Sequence, residues 1–240
     1  MNFYKEFSDY YDNIFQTKNN KVEFLVDNVK DKGQILDVAT GTGNYAIALG
    51  KKGYSVRGLD LSKAMINQAL NKIKDKELDV KFKVEDMKNL TNIYKQQNFN
   101  LIYCIGNSLV HLENEQEIKD VLNQAYSLLK NKGKLIIQIV NYDRILTKNI
   151  TSLPTINNEE KQVKLVRNYA LEDEKVNFKT KLITPQGQFE NSVLLYPLKS
   201  GQLREMLNAI GFAEVNLYGD FNYNDYKAYN SFPLIAVAIK

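Results

Sequence analysis

The segment Asp37-Val-Ala-Thr-Gly41-Thr-Gly43-Asn-Tyr-Ala46 follows a short apolar run, 34-QILDVA, and leads into a helical pattern over 43–52. Glycines at such a junction allow positive φ and let a ligand come close to the backbone. The helix that starts there exposes unpaired N–H groups at its N-terminus. The rest of the first half repeats this strand–loop–helix unit. The runs 55-SVRGLDL, 80-VKFKV, 99-FNLIYCI and 134-KLIIQIV read as strands, with helical patterns over 62–74 and 113–130. Ser62 is placed to cap the helix beginning KAMINQAL, and Asn131 to Gly133 to close the last one. Strands alternating with helices predict a parallel sheet covered on both faces.

The pattern changes after Asn141. Three strand-like runs, VKLVRNYAL, KVNFKTKLI and QFENSVLLY, lie between 163 and 197, separated by Glu172-Asp173-Glu174 and Pro185-Gln186-Gly187. Turns this short predict an antiparallel meander. A helix over 200-SGQLREMLNAIGF ends at Gly211, and 212-FAEVNLYG and 232-FPLIAVAIK read as two final strands. With 240 residues the chain is expected to form a single domain, 1–240, with an antiparallel insert at 145–200.

Composition excludes several classes. Hydrophobic residues at 44% and charged residues at 25% are those of a globular chain with a packed core. The net charge is +4, but 32 basic and 28 acidic residues are interspersed, and the only arginines are Arg57, Arg144, Arg167 and Arg204. Bidentate recognition of phosphate or guanine favours arginine, so no nucleic-acid partner is expected. One cysteine, Cys104, permits no internal disulfide and no cysteine-based zinc site. The N-terminus MNFYKEFSDYYD lacks the apolar stretch of a signal peptide, and no run approaches the roughly 18 apolar residues of a membrane span. A cytoplasmic protein with no membrane association and no metal is expected.

Two acids extend the glycine signal. Asp60 stands at the end of the second strand, 19 residues past Gly41, and Asp86 at the end of the third, followed by Met87. A carboxylate at the first position can accept both hydroxyls of a ribose, and in an open parallel sheet these strand ends face one crevice. G-x-G-x-x-A with a downstream acid is also the dinucleotide fingerprint. Asp37 separates the two readings. A pyrophosphate is repelled by a carboxylate four residues ahead of its cradle, whereas a ligand with a sulfonium and an α-ammonium group is attracted. The D-x-A-x-G-x-G pattern thus favours S-adenosylmethionine over NAD.

The segments 36-LDVATGTG, 102-IYCIGNSLVHL, 141-NYDRIL, 195-LYPL and 219-GDF resemble the class I S-adenosylmethionine-dependent methyltransferases, and within them the glycine/sarcosine N-methyltransferase group. The resemblance implies a Rossmann-like α/β fold: a mostly parallel seven-stranded sheet with helices on both faces and its last strand antiparallel. It also implies an N-terminal helical cap, 1–33, and a substrate lid in the insert. Ala39, Gly41 and Gly43 would line the methionine part of the cofactor together with Asp37, Asp60 its ribose, and Asp86 and Met87 its adenine, with Leu61, Met65 and Ile105 beside it. Asn107 would face the methyl acceptor, and Tyr196 would reach the same pocket from the insert. Tyr11, in the YYD segment, would close over the site. The pattern departs at Val140, where the group carries an arginine that holds the acceptor carboxylate; either Arg144 or Arg167 substitutes, or the acceptor is an amine without a carboxylate at that point.

The expected reaction is in-line transfer to a small-molecule acceptor, an amino acid or amine, giving S-adenosylhomocysteine. The donor is already activated, so the protein has chiefly to align the reactants and exclude water. An amine must bind neutral, which carbonyl and hydroxyl acceptors such as Asn107 and Tyr196 favour. His111, the one histidine, is a candidate base or a structural hydrogen-bonding group. Arg144 and Tyr223 are candidate substrate contacts. Cys104, inside an apolar run, reads as core, and the lysine-rich stretch from Lys72 to Lys83 as a solvated surface. A non-amine acceptor, an NAD-dependent oxidoreductase and a non-catalytic cofactor-binding protein are the alternatives.

Overall fold

Alternate residues of the early strands are buried on opposite sides, which requires a cover on each face. In the computed structural model, which describes residues 3–29, 32–95 and 98–240, β1 (Gln34–Val38) buries Ile35 in one layer and Leu36 and Val38 in the other. β4 (Phe99–Cys104) likewise divides Leu101 and Tyr103 from Ile102 and Cys104. The first layer is built from α2 (Asn19–Asp27), α3 (Asn44–Lys51) and α4 (Lys63–Ile73). The second contains the short α5 (Leu90–Ile93), α6 (Glu115–Leu128), α7 (Tyr142–Thr147) and α8 (Ser200–Ile210).

The remaining strands of this sheet are β2 (Ser55–Asp60), β3 (Val80–Val84), β5 (Leu129–Val140), β10 (Glu214–Tyr218) and β11 (Pro233–Ile239). Their order is β10-β11-β5-β4-β1-β2-β3, seven strands in which only β11 runs against its neighbours. The order reverses between β1 and β4, and a doubly wound sheet opens its ligand crevice at that point, beyond the strands' C-terminal ends. Ser62 caps α4 as expected, with its Oγ accepting from the Met65 N–H, and Gly211 ends α8 at φ 109°.

Two local expectations need correction. α6 stops at Leu128, so Asn131 to Gly133 do not close it but lie within β5. The pairing of β4 with β5 shifts from Phe99 opposite Leu129 to Leu101 opposite Lys134, with Lys132 at φ 63° inside the bulge. The insert holds four strands rather than three, in order β6 (Ser152–Asn158), β7 (Val163–Glu172), β8 (Lys175–Thr184) and β9 (Gly187–Leu195). β6 contains Pro154, which argues against a strand in the sequence. It is tolerated because β6 is an edge strand whose register shifts between Leu153 and Ile156.

The expected cap is two helices with different attachments; positions 1, 2, 30 and 31 lie outside the described residues. α2 belongs to the main sheet's cover, whereas α1 (Phe3–Ile14) lies against the insert, its Phe3 and Ile14 buried with Val163, Leu165 and Leu182. Among the described residues no helix is long and apolar enough to cross a membrane.

Candidate active site

At the end of β1 the chain turns through three positive φ angles, 60° at Ala39, 58° at Gly41 and 77° at Gly43. Gly43 is fixed as glycine by its surroundings as well, since a Cβ there would stand 2.5 Å from Cζ of Phe82. The turn is held by the Asp60 carboxylate, whose Oδ2 accepts from the Gly41 N–H at 2.9 Å while Oδ1 accepts from the Ser62 N–H at 2.8 Å. Burial nevertheless raises the Asp60 pKa above the usual carboxylate range.

Asp37 is only 3% exposed. Its Oδ2 accepts from the Thr40 hydroxyl at 2.6 Å, and its partner across the strands is Tyr103. The Tyr103 hydroxyl lies near the same carboxylate without making a hydrogen bond of normal geometry. Burial pushes the Asp37 pKa up to about 7, and the charge of Asp60 adds to the rise. One buried and one half-buried carboxylate thus face the turn, and neither makes a salt bridge with a described residue. A ligand carrying positive charge and a ribose fits that donor set.

Around these acids the other expected cofactor contacts divide by depth. Asp86 caps the 3-10 turn Met87–Asn89, accepting from the Lys88 N–H at 2.9 Å, and Met87 packs against the core beneath. Leu61 is 72% exposed and stands beside Asp60 as a free apolar surface. Met65 and Ile105 are buried in the structure.

Tyr11 does reach this place from α1. Its ring lies over Gly41, and burial and the charge of Asp60 both raise its pKa. The following residue secures the helix. Asp12 accepts from the Thr42 hydroxyl at 2.6 Å and from the Asn44 amide at 2.7 Å, and pairs with Lys72. Lys72 also donates to the Thr42 carbonyl at 3.0 Å and to Asn44 Oδ1 at 2.8 Å. The lysine expected on a solvated surface is therefore a tie between α4, α1 and the glycine turn. Nothing in local spacing marks Asp12 or Lys72 for this role, because the contact joins residues 60 positions apart.

Across the crevice, Gly106 and Asn107 also have positive φ, 99° and 74°. Gln138 of β5 fixes both: its Oε1 accepts from the Gly106 N–H at 2.9 Å and its carbonyl from the Asn107 N–H at 3.2 Å. The Asn107 side chain is tied twice, with Oδ1 accepting from the Val140 N–H at 2.9 Å and Nδ2 donating to the Tyr142 hydroxyl at 3.2 Å. A primary amide has two donors and two lone pairs, so one N–H stays available for a ligand, while the second lone pair of Oδ1 meets only the Tyr142 hydroxyl at a long 3.5 Å. Gln138 lies outside the quoted motifs and Tyr142 inside one, 141-NYDRIL, but neither shows its role in the sequence because both are buried and act through Asn107.

Three expected substrate contacts are not brought to Asn107. The Tyr196 hydroxyl is turned toward α6 and α8, donating to Glu115 at 3.3 Å and accepting from Gln202 at 3.3 Å. Tyr223 stacks on Phe24 at 4.5 Å and accepts from the Asn28 amide at 3.0 Å, on the α2 side of the molecule. Arg144 lies over the Phe232 ring, 5.7 Å from its centroid. His111 ends the 3-10 turn Leu109–His111, exposed on one side but desolvated enough by its surroundings to hold its pKa below the ordinary value. The Cys104 thiol is buried in the core, and its pKa is pushed up to about 12.

The sequence profile of a methyltransferase-domain family matches residues 35–133. Over 201 residues, 83% of this chain and 74% of the relative, the sequence is 31% identical to the glycine/sarcosine N-methyltransferase of Aphanothece halophytica. The enzyme of the same name from Halorhodospira halochloris is 29% identical over 201 residues, covering 83% of this chain and 73% of its own. A crystal structure of an S-adenosylmethionine-dependent methyltransferase from Clostridium acetobutylicum superposes with a TM-score of 0.80 over 99% of both chains at 20% identity, which is a likeness of fold. The chain belongs to the class I S-adenosylmethionine-dependent methyltransferases, in the family of the glycine/sarcosine N-methyltransferases.

Proposed function

We propose that this methyltransferase acts on the nitrogen of a small amino acid or amine of glycine-like size. The observation that carries the reading is the Asn107 amide, fixed by Val140 and Tyr142 with one N–H to spare and the second lone pair of Oδ1 met only by a long contact, 3.5 Å, from the Tyr142 hydroxyl. A lone pair at that point accepts an N–H of a neutral amine, leaving the nitrogen's own pair free for the methyl group. The relatives' names, glycine/sarcosine N-methyltransferase, support the same acceptor class.

S-Adenosylmethionine supplies a methyl group on a positive sulfur, a good leaving group, so the side chains need no covalent nucleophile. Asp60 would accept the ribose hydroxyls, the Ala39–Gly43 turn would take the methionine part, and Asp86 with Met87 would border the adenine. Asp37 would face positive charge on the ligand, directly or through the Thr40 hydroxyl it holds. Tyr11 would lie over the ligand and exclude water. Burial lowers the proton affinity of His111, and an ammonium is a weaker acid than an imidazolium, so the product would lose its proton to water and His111 would serve as a structural group. Tyr196 has no part in the proposed contacts. A cytoplasmic location and no nucleic-acid partner are part of the same proposal.

A methyl-transfer screen over glycine, sarcosine, other small amines and hydroxylated aromatics, following S-adenosylhomocysteine release, tests the proposal. Turnover of glycine or sarcosine is expected. Turnover of an oxygen or carbon acceptor with none of the amines would overturn it.

A further inference from the structure

Asn44 and Lys51 stand at the two ends of one face of α3 and line a cavity with Lys72 of α4, Lys76 just beyond that helix, and Asp12 and Thr17. Its volume is about 290 Å³. The three lysines are not equivalent. Lys72 has all three N–H donors engaged, by the Asp12 carboxylate, the Thr42 carbonyl at 3.0 Å and Asn44 Oδ1 at 2.8 Å. Lys76 uses one donor, to the Lys72 carbonyl. Lys51 makes no hydrogen bond or ion pair with a described residue.

Asp12 is the one acid in this lining, and Lys72 already meets its charge. Lys51 and Lys76 therefore bring two uncompensated positive charges to one cavity. Their crowding reaches the paired lysine too: burial lowers the Lys72 pKa, Asp12 opposes that, and the charge of Lys76 adds to the lowering. Like charges around one cavity repel, and an anion between them relieves the repulsion. A phosphoryl group suits the lining best. It carries about 1.5 to 2 negative charges at pH 7 and three acceptor oxygens, enough for two ammonium groups and the Thr17 hydroxyl. Lysine meets phosphate as a point charge, so no planar fork is needed. The volume takes one phosphoryl group or a small ester rather than a length of polyanion.

We propose that this cavity binds a phosphoryl dianion, inorganic phosphate or a small phosphate ester, through Lys51 and Lys76, and that its binding weakens the hold of α1 on the glycine turn. The link runs through Lys72 and Asp12, which share the lining. A dianion beside them offers the Lys72 ammonium a second acceptor and repels the Asp12 carboxylate, so it competes with their pairing. Asp12 is what ties α1 to Thr42 and Asn44, and the next residue back, Tyr11, lays its ring over Gly41. Loosening that tie lowers affinity for the cofactor without any contact between the two ligands. The proposal concerns the cofactor side alone and is independent of which acceptor is methylated.

The test titrates inorganic phosphate into the wild type and a Lys51→Gln, Lys76→Gln double variant by calorimetry, with ionic strength held constant by chloride. Saturable binding is expected in the wild type, and binding at least about tenfold weaker in the double variant, which lacks both charged contacts. Saturating phosphate should lower wild-type affinity for S-adenosylhomocysteine about five- to tenfold and quicken amide exchange in α1. By linkage, S-adenosylhomocysteine should weaken phosphate by the same factor. In the double variant, affinity for S-adenosylhomocysteine should match the phosphate-free wild type and stay unchanged when phosphate is added. Glycerol 2-phosphate separates the two sources: an equal response assigns the site to the phosphoryl group itself, and a response to the ester alone assigns it to a phosphate ester. Absent binding, an effect matched by chloride or acetate at equal ionic strength, or an undiminished response in the double variant would overturn the site. Saturable binding that leaves S-adenosylhomocysteine affinity and α1 exchange unchanged would overturn the coupling. Should the double variant not fold, Lys51→Gln and Lys76→Gln decide singly by the same loss of phosphate binding.

Discussion

The ring of Tyr11 lies over Gly41, its Cζ and hydroxyl oxygen each 3.4 Å from where a Cβ at that glycine would stand. Gly41 also has φ 58°, which costs an L-residue roughly 1–2 kcal/mol. Gly41→Ala should thus lower stability by about that amount through the backbone alone, because its Cβ meets the Tyr11 ring at ordinary van der Waals distance. Urea denaturation would show the loss. A variant with unchanged stability would contradict this account of the turn.

Asp37 gives a pH dependence of definite sign. Its pKa rises from the ordinary aspartate value of 3.8 to about 7 in the fold, so between those values the folded state holds a proton that the unfolded state has released. Stability contributed at this site is present at low pH and falls as pH rises from about 4 to about 7, then levels off. The difference in Tm between wild type and Asp37→Asn should therefore shift against the wild type across that range. Affinity for the cationic cofactor should change oppositely, increasing as Asp37 ionises, and should be flatter in Asp37→Asn.

Asn107 is held by Gln138, Val140 and Tyr142, so its loss should affect alignment rather than cofactor binding. Asn107→Ala is expected to lower kcat about ten- to a hundredfold with S-adenosylhomocysteine affinity unchanged. Tyr142→Phe, which removes one of the amide's ties, should lower it less. Steady-state kinetics with calorimetry on the same preparations checks both. A matching loss of cofactor affinity would mean that Asn107 serves the other side of the crevice.

Asp12 joins α1 to Thr42, Asn44 and Lys72. Asp12→Ala should cost about 1–2 kcal/mol through its charge-assisted hydrogen bonds. Amide exchange should quicken in α1 far more than in the central strands. Uniform acceleration throughout the molecule would show that α1 has no separate opening.

The parts of the fold legible in the sequence were those with a local cause. β1 to β4 announce themselves as apolar runs, and the glycine turn with Asp60 follows from φ requirements and strand ends. β6 was hidden because Pro154 is read as a breaker, and only its place at the sheet edge makes it harmless. The bulge at 130–133 was hidden because Lys-Asn-Lys-Gly looks like a helix stop, while the strand pairing that draws it into β5 comes from Phe99, 30 residues earlier. In the site, Asn107 and Asp60 lie in recognisable motifs. Tyr142, Gln138, Asp12 and Lys72 work only through partners distant in sequence, so no spacing rule finds them. Tyr196 and Tyr223 failed to join Asn107 for a related reason: each ring found nearer polar partners, Glu115 and Gln202 for one and Asn28 for the other.

α1 meets the molecule through two unlike faces. Toward the insert it presents Phe3 and Ile14 in a dry aromatic and aliphatic contact, and toward α4 and the glycine turn it presents Asp9, bonded to Gln68, and Asp12, on either side of the Tyr11 ring. A separation that admits a nucleoside along this second face would break the Asp9 and Asp12 bonds and lift the Tyr11 ring, leaving the Phe3 and Ile14 contact shut. Counted by order along the chain, α1 precedes the nucleotide-type sheet; counted by what travels together, it is part of the antiparallel sheet encoded about 150 residues later. Substrate admission would then be governed at a seam that falls within a helix and not at the junctions around residues 145 and 200.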